Sequence, residues 1–338
     1  MKRRELIALF GGAGVSATSI VCPLSAPAQL VGKTYRLLIL TSAKPYDPGA
    51  SKRPQHWSAF FRELRRLGYE ESRNLAVVLQ ISEGDVGRAA EFAERVLELK
   101  PDVIFSPDVG MATILQIATA AIPVVSIAAD PANLGLAISL ARPGGNITGF
   151  SVDTGLEIYA KRIELLKQAI PGASRTGVLF PRQRSELPPF SIMEVARVLG
   201  LTLIDGGPEL PVDAAAYRRA FTILAKQGVD SLLVSAHFQN LTHRYLIAEL
   251  ARTAKLPGMF VYRENVEAGG LMSYGADLTD LFQRSAGYID RIFSGANPAE
   301  MPFQQPTKFE LAVNLKTAVA LGITVPRQLL ARADEVIE

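Results

Sequence analysis

The side chains able to do chemistry are few, and their spacing favours reversible recognition over bond making. The chain carries three histidines, His56, His237 and His243, and one cysteine, Cys22. His237 and His243 stand six apart, which does not place two imidazoles on one helical face at the i, i+4 spacing of a metal pair. A transition-metal site would have to lean on carboxylates. There is no Gly-x-Ser-x-Gly elbow, no Walker loop and no His-Glu-x-x-His motif. What remains are groups suited to holding a small molecule. Asp108 and Asp130 follow apolar runs and could accept hydrogen bonds from an ammonium or hydroxyl; Asp108 could equally cap a helix, and Asp130 could start a turn before Pro131. Arg182 and Arg184 could clamp a carboxylate or stand in a solvated loop. Tyr46, Trp57, Tyr262 and Tyr274 are aromatic surfaces for a flat ligand; Trp57 lies on an apolar helix face and reads as core, whereas Tyr274 ends a strand.

The elements that must position these groups alternate. Tyr35 to Leu40 reads as a buried strand, and Gln55 to Leu67 as a helix with Trp57, Phe60, Phe61 and Leu64 on one face. Leu75 to Ile81, Val103 to Phe105 and Val124 to Ile127 read as strands, with helices over Val86 to Leu99 and Gly110 to Ala121. The pattern restarts after Pro143-Gly144-Gly145. Strands are expected at Ile147 to Phe150, Gly177 to Phe180, Leu201 to Ile204, Ser231 to Val234, Met259 to Tyr262 and Leu271 to Tyr274. Helices are expected at Leu156 to Ala169, Pro189 to Leu199, Ala214 to Gln227, Gln239 to Thr253 and Leu278 to Phe293, with a strand Lys308 to Val313 and a helix Leu315 to Leu321 in the tail. Strand–helix alternation of this kind builds parallel sheets covered on both faces. The reading is two doubly wound α/β domains hinged near Gly144 to Gly149, with ligand sites outside the carboxyl ends of the strands. Ser106, His237, Arg263 and Glu264 join the candidates because they stand at such ends.

The first 28 residues bear on location. Lys2, Arg3 and Arg4 precede an uncharged, mostly apolar run from Leu6 to Val21, and Ala26-Pro27-Ala28 is a small-x-small cleavage site before Gln29. A membrane-spanning helix would need about 20 strongly apolar residues, and this run is shorter and diluted by Gly, Ser and Thr. The segment reads as a secretory signal, and Gly11-Gly12-Ala13-Gly14 within it has no preceding strand to make it a phosphate loop. Arg3-Arg4-Glu5-Leu6-Ile7 suits twin-arginine export and general secretion alike. Val21 stands where a lipoprotein has a small residue, so acylation of Cys22 is not expected. Cleavage leaves 310 residues with 33 basic and 32 acidic side chains and no cysteine. Such a chain is long enough for two cores, and its near-neutral charge gives no reason to expect nucleic acid or an anionic membrane as partner.

Several segments together resemble the periplasmic substrate-binding proteins of ABC importers, the family with tryptophan- and tyrosine-binding members. They are Leu67-Gly68-Tyr69 with Arg73-Asn74-Leu75, Asp130-Pro131 leading to Leu134-Gly135-Leu136, and Arg142-Pro143-Gly144-Gly145-Asn146-Ile147-Thr148-Gly149. Glu267-Ala268-Gly269-Gly270-Leu271-Met272-Ser273-Tyr274-Gly275 and Gln305-Pro306-Thr307-Lys308-Phe309-Glu310-Leu311 continuing to Asn314-Leu315-Lys316-Thr317-Ala318 complete the set. The resemblance implies a type I periplasmic binding protein: two doubly wound parallel-sheet domains joined by a three-crossing hinge. The lobes would be residues 30–148 with 275–302, and residues 149–274 with 303–338. It also implies a monomeric periplasmic receptor without cofactor. Such a receptor binds an amino acid or aromatic carboxylate between its lobes, through Tyr46, Ser106, Asp108, Asp130, Arg182, His237, Arg263, Glu264 and Tyr274, and delivers it to an ABC permease. A ligand sensor for a membrane signalling partner and a secreted two-domain enzyme are the alternatives. Three loops depart from the family pattern: Ser106-Pro107-Asp108-Val109-Gly110, Pro181-Arg182-Gln183-Arg184-Ser185 and Ala236-His237-Phe238. The ligand of better-known members therefore does not transfer safely.

Overall fold

The computed structural model describes residues 32–41, 53–71, 73–81, 95–152, 155–181 and 190–338. The leader and its cleavage site before Gln29 lie outside these residues, as does most of the helix expected over Val86 to Leu99, of which residues 95–99 are helical. Among the described residues no helix is long and apolar enough to cross a membrane.

The apolar runs form two sheets. In the first, β1 (Tyr35–Thr41), β2 (Leu75–Ile81), β3 (Val103–Ser106), β4 (Val124–Ala128) and β5 (Ile147–Ser151) lie parallel in the order β2-β1-β3-β4-β5. Every residue of β3, β4 and β5 is buried, which is why these strands read as continuous apolar runs rather than alternating ones. In the second sheet, β6 (Arg175–Leu179), β7 (Thr202–Asp205), β8 (Ser231–Val234), β9 (Gly258–Phe260), β10 (Met272–Ala276), β11 (Phe309–Asn314) and β12 (Glu335–Ile337) follow the order β12-β11-β10-β9-β8-β6-β7. Only the β10–β11 pair is antiparallel.

β5 corrects the reading from sequence. The restart after Gly145 suggested a hinge near Gly144 to Gly149, and the resemblance a lobe boundary at 148/149. Instead β5 pairs along its whole length with β4, so the break falls beyond Ser151. The chain enters the second sheet through the Leu156–Ala169 helix and leaves it after β10, and the Leu278–Phe293 helix then packs beside the Gln55–Arg66 helix on the first sheet. Before the chain re-enters the second sheet as β11, Gln304 joins the edge of β5. Its amide donates to the Gly149 carbonyl (2.9 Å), and its carbonyl accepts from the Ser151 amide (2.8 Å).

Aromatic packing ties the late helix to the early strands. Phe60 stacks on Phe105 with centroids 4.7 Å apart, and Trp57 meets Phe282 edge-on at 4.8 Å. Such pairs contribute about 1 kcal/mol each beyond their buried area. Phe238, Leu241, Val261 and Tyr262, which follow strands of the second sheet, belong to this same core, so the two halves share apolar contact. Two local features differ from the sequence reading. The helix expected over Gln239 to Thr253 breaks at His243 into Phe238–Thr242 and Arg244–Thr253. Thr242 Oγ1 bonds back to the Phe238 carbonyl, and the His243 ring bonds the Gln239 carbonyl, so side chains compete with the helical ladder there. Arg263–Glu267 is a one-turn helix, too short to give a periodic signal.

Candidate functional site

A cleft of about 720 Å³ opens between the two sheets. Its walls are residues just past the carboxyl ends of strands. Pro107, Asp130 and Val152 follow β3, β4 and β5, while Phe180, His237 and Tyr262 follow β6, β8 and β9. This is where doubly wound sheets place ligands, because strand ends and helix starts leave side chains rather than a ladder facing the gap.

The cleft is aromatic. Tyr159 and Phe180 stack with centroids 6.0 Å apart and planes 30° apart, and His237 meets Phe180 edge-on at 6.0 Å. Behind Tyr159 lies the fully buried Arg162. Its guanidinium stands 5.1 Å from the Tyr159 ring centre, and its Nε donates to the Tyr274 carbonyl at 2.8 Å. That bond ties one cleft wall to β10. Tyr262 is anchored by its hydroxyl, which donates to the Ala236 carbonyl at 3.3 Å. Phe282, from the late helix, closes the base.

His237 is oriented by a relay. Ser235 Oγ donates to the Leu179 carbonyl at 2.9 Å and accepts from Asn240 Nδ2 at 3.1 Å. Ser235 Oγ also lies 2.7 Å from His237 Nδ1, a contact that holds the imidazole in its orientation. Asn240 is itself held by the buried Tyr217, whose hydroxyl donates to Asn240 Oδ1 at 2.7 Å.

Asp130, His237 and Tyr262 are the anticipated residues that line the cleft. Asp130 is half-buried, and Asn133 holds its carboxylate, with the Asn133 amide at 3.2 Å and its side-chain Nδ2 at 2.6 Å. Five other anticipated residues are brought elsewhere. Ser106 is buried within β3, and its hydroxyl bonds the Asp108 carbonyl. Asp108 is 1 % exposed and caps the Val109–Ala118 helix, accepting from the Gly110 amide at 2.9 Å. Its carboxylate thereby occupies the helix start that a ligand anion would otherwise use. Tyr274 stacks on Phe309 at 6.0 Å and packs on the second core, because the alternation of β10 turns it toward the Leu311 side. Arg263 lies in a charged cluster with Glu267 (3.3 Å), Glu310 (3.5 Å) and Glu335 (3.4 Å), and its Nη2 donates to Gln55 Oε1 at 3.0 Å. Glu264 faces His56 rather than the cleft. Tyr46 and Arg182 lie outside the described residues.

Sequence reasoning passed over Tyr159, Phe180 and Phe282, which sit at helix or strand positions that read as core, whereas Phe238 belongs to a loop already singled out. The available signal was Gly155. It precedes the Leu156–Ala169 helix with φ 98° and no side-chain cap, marking a helix start at a sheet edge and one turn later Tyr159.

The family described as ABC transporter substrate binding protein matches residues 53–337. The chain belongs to that family. It is therefore similar to solute receptors that work outside the cytoplasm with a permease, and not to an enzyme family. The tyrosine-binding protein of Clostridioides difficile (strain R20291) is 23% identical over 291 residues, 83% of this chain and 82% of that one. Among solved structures, the domain in complex with L-Trp from Streptococcus pneumonia superposes with a TM-score of 0.77 at 24% identity, over 90% of this chain and 100% of that one. A conserved domain protein from Vibrio cholerae gives 0.77 at 25% identity, with the same coverage. The ligand-free, open structure of a substrate binding protein with adhesive properties from Clostridium difficile gives 0.58 at 22% identity, over 90% of this chain and 99% of that one. This receptor thus has the type I periplasmic binding protein fold, two α/β domains around an interlobe cleft.

Proposed function

We propose that the protein is a monomeric periplasmic receptor that captures an aromatic amino acid, or a compound with the same flat body and ammonium, and hands it unchanged to its permease. The cleft carries this reading: its walls bring rings from both halves together with one carboxylate, Asp130. Tyr159, Phe180, His237 and Tyr262 offer faces and edges to a planar group, each contact contributing about 1 kcal/mol. Asp130 accepts from an ammonium, a charge-assisted bond stronger than a neutral one. The His237 imidazole offers a hydrogen-bonding partner to a polar group on the ligand ring. Contacts from both halves favour the closed arrangement, and the permease reads that arrangement. No bond is made or broken in the ligand. The relatives named for tyrosine and found with L-Trp support the choice of an aromatic body.

Thermal unfolding against L-tryptophan, L-tyrosine, the corresponding decarboxylated amines, aliphatic amino acids and sugars tests this. A ligand at a hundredfold excess over its Kd adds about 2.7 kcal/mol of stability, which is a readable rise in Tm. The expected result is a rise with aromatic compounds bearing an ammonium, lost in Asp130→Asn. A rise with sugars alone, or turnover of any panel member, refutes the reading.

A further inference from the structure

Two residue pairs outside the cleft join the halves. Gln55 and His56 open the first helix of the first half, and Arg263 and Glu264 open the short helix after β9 in the second. His56 Nδ1 lies 3.3 Å from Glu264 Oε1, and Arg263 Nη2 donates to Gln55 Oε1 at 3.0 Å. His56 is 4 % exposed and Glu264 8 %. Burial pushes the Glu264 carboxyl up, but the neighbouring His56 and then Arg263 hold it below the usual range. The surrounding charges are Glu267, Glu310 and Glu335 around Arg263, Asp277 and Asp334 beside Glu310, and Arg244 in the same surface cleft as His56.

Neither member of the buried pair lines the cleft, yet each stands close to a residue that does. The His56 ring packs on Phe282 at 4.7 Å, and Tyr262 lies two positions before Glu264; both Phe282 and Tyr262 are cleft residues. A buried carboxylate gains little over its hydrated form when its polar contact is imperfect, whereas removing its partner strands it without water. Such a pair is therefore sensitive to separation of the two halves, since opening rehydrates both groups.

We propose that His56 and Glu264, reinforced by Gln55 and Arg263, form a clasp that holds the two halves closed and sets how long a ligand is retained. They are positioning residues that act on the ligand without touching it. The proposal rests on the cleft being the ligand site. The chain supplies its own reporter, because its single tryptophan, Trp57, is fully buried next to His56 and against Phe282.

The test compares the wild type with Glu264→Gln, which keeps a hydrogen-bonding partner for His56, and Glu264→Ala, which does not. Both changes lie in the half opposite Trp57 and leave its own neighbours in place. Small-angle scattering and acrylamide quenching of Trp57 are read without ligand, and release of L-tryptophan and L-tyrosine is timed by stopped flow. The expected order is a radius of gyration and a quenching constant rising from wild type through Gln to Ala, with ligand release about tenfold faster in Ala. Equal radii and equal quenching in all three forms, with or without a lower Tm, overturn the clasp and leave the pair a packing contact. If radii and quenching shift in the expected order while neither amino acid binds, the clasp stands and the ligand reading falls.

Discussion

Replacing Gly149 with alanine should unfasten the edge strand that carries the cleft wall. Gly149 sits in mid-β5 at φ 143°, a backbone region that L side chains rarely enter. A Cβ built there meets the Ser126 carbonyl oxygen at 1.9 Å and the Ser126 nitrogen at 2.7 Å, where real contacts essentially never fall under 3.0 Å. Both atoms are backbone of the neighbouring strand, so no side chain can swing away. Relief requires β4 and β5 to part by about an ångström, which weakens the ladder at Ser126–Gly149 and the bond from the Gln304 amide to the Gly149 carbonyl. Each lost backbone bond costs about 1 kcal/mol, and the φ strain adds about 1–2 kcal/mol. The sum is roughly 3–5 kcal/mol, a size reserved for substitutions with a definite steric cause. In a chain of this size that is on the order of 10 °C in Tm. Val152, which lines the cleft, follows on the same strand, so ligand affinity should fall with stability. The assay is thermal unfolding of Gly149→Ala beside Gly145→Ala, whose added Cβ meets nothing within 4 Å. A Gly149→Ala protein within about 2 °C of the wild type would refute the steric argument.

Other outcomes follow from the same structure. Burial, and then the negative charge of Asp277, push the Glu310 carboxyl up to about 7 from an ordinary 4.5, against the pull of Arg263. The folded state therefore binds the extra proton between pH 4.5 and 7, and stability falls as pH rises through that window. Glu310→Gln should flatten this slope and raise stability at pH 8 by about 1 kcal/mol after solvent screening; denaturant titrations at several pH values check it. Phe180→Ala removes the ring between Tyr159 and His237 and should weaken aromatic ligands about tenfold by calorimetry, with little change for aliphatic ones. Tyr217→Phe leaves buried Asn240 Oδ1 without its 2.7 Å donor and should cost about 1–2 kcal/mol in chemical unfolding.

Much of the framework was legible in order along the chain. The Leu156–Ala169 and Leu278–Phe293 helices and strands β2 and β8 have the limits their periodicity and punctuation suggest. Asp108 as a helix cap was one of two readings its position allowed, and the structure places its carboxylate on Gly110. The glycines of the Arg142 to Gly149 motif acquire a reason, since at Gly149 any Cβ would strike the next strand. The short elements were not legible: a one-turn helix at Arg263–Glu267 and a three-residue β12 are too brief for a period to register. Tyr159 was hidden because a tyrosine on an apolar helix face reads as core whether it meets another helix or a cleft.

By itself the sequence determined the alternation of strands and helices, the caps, and the segments that carry the family resemblance, since all of these depend on neighbours within a few residues. The tertiary structure alone decided which sheet each strand joins. It moved β5 into the first sheet, packed Tyr274 against the core of the second half and brought Tyr159 to the cleft. It also set Arg263 against Gln55 and Glu264 against His56, partners 208 residues apart in the first pair. The reason is physical. Local pattern dictates which faces are apolar, but which apolar face meets which is settled only when strand order and register place distant segments side by side.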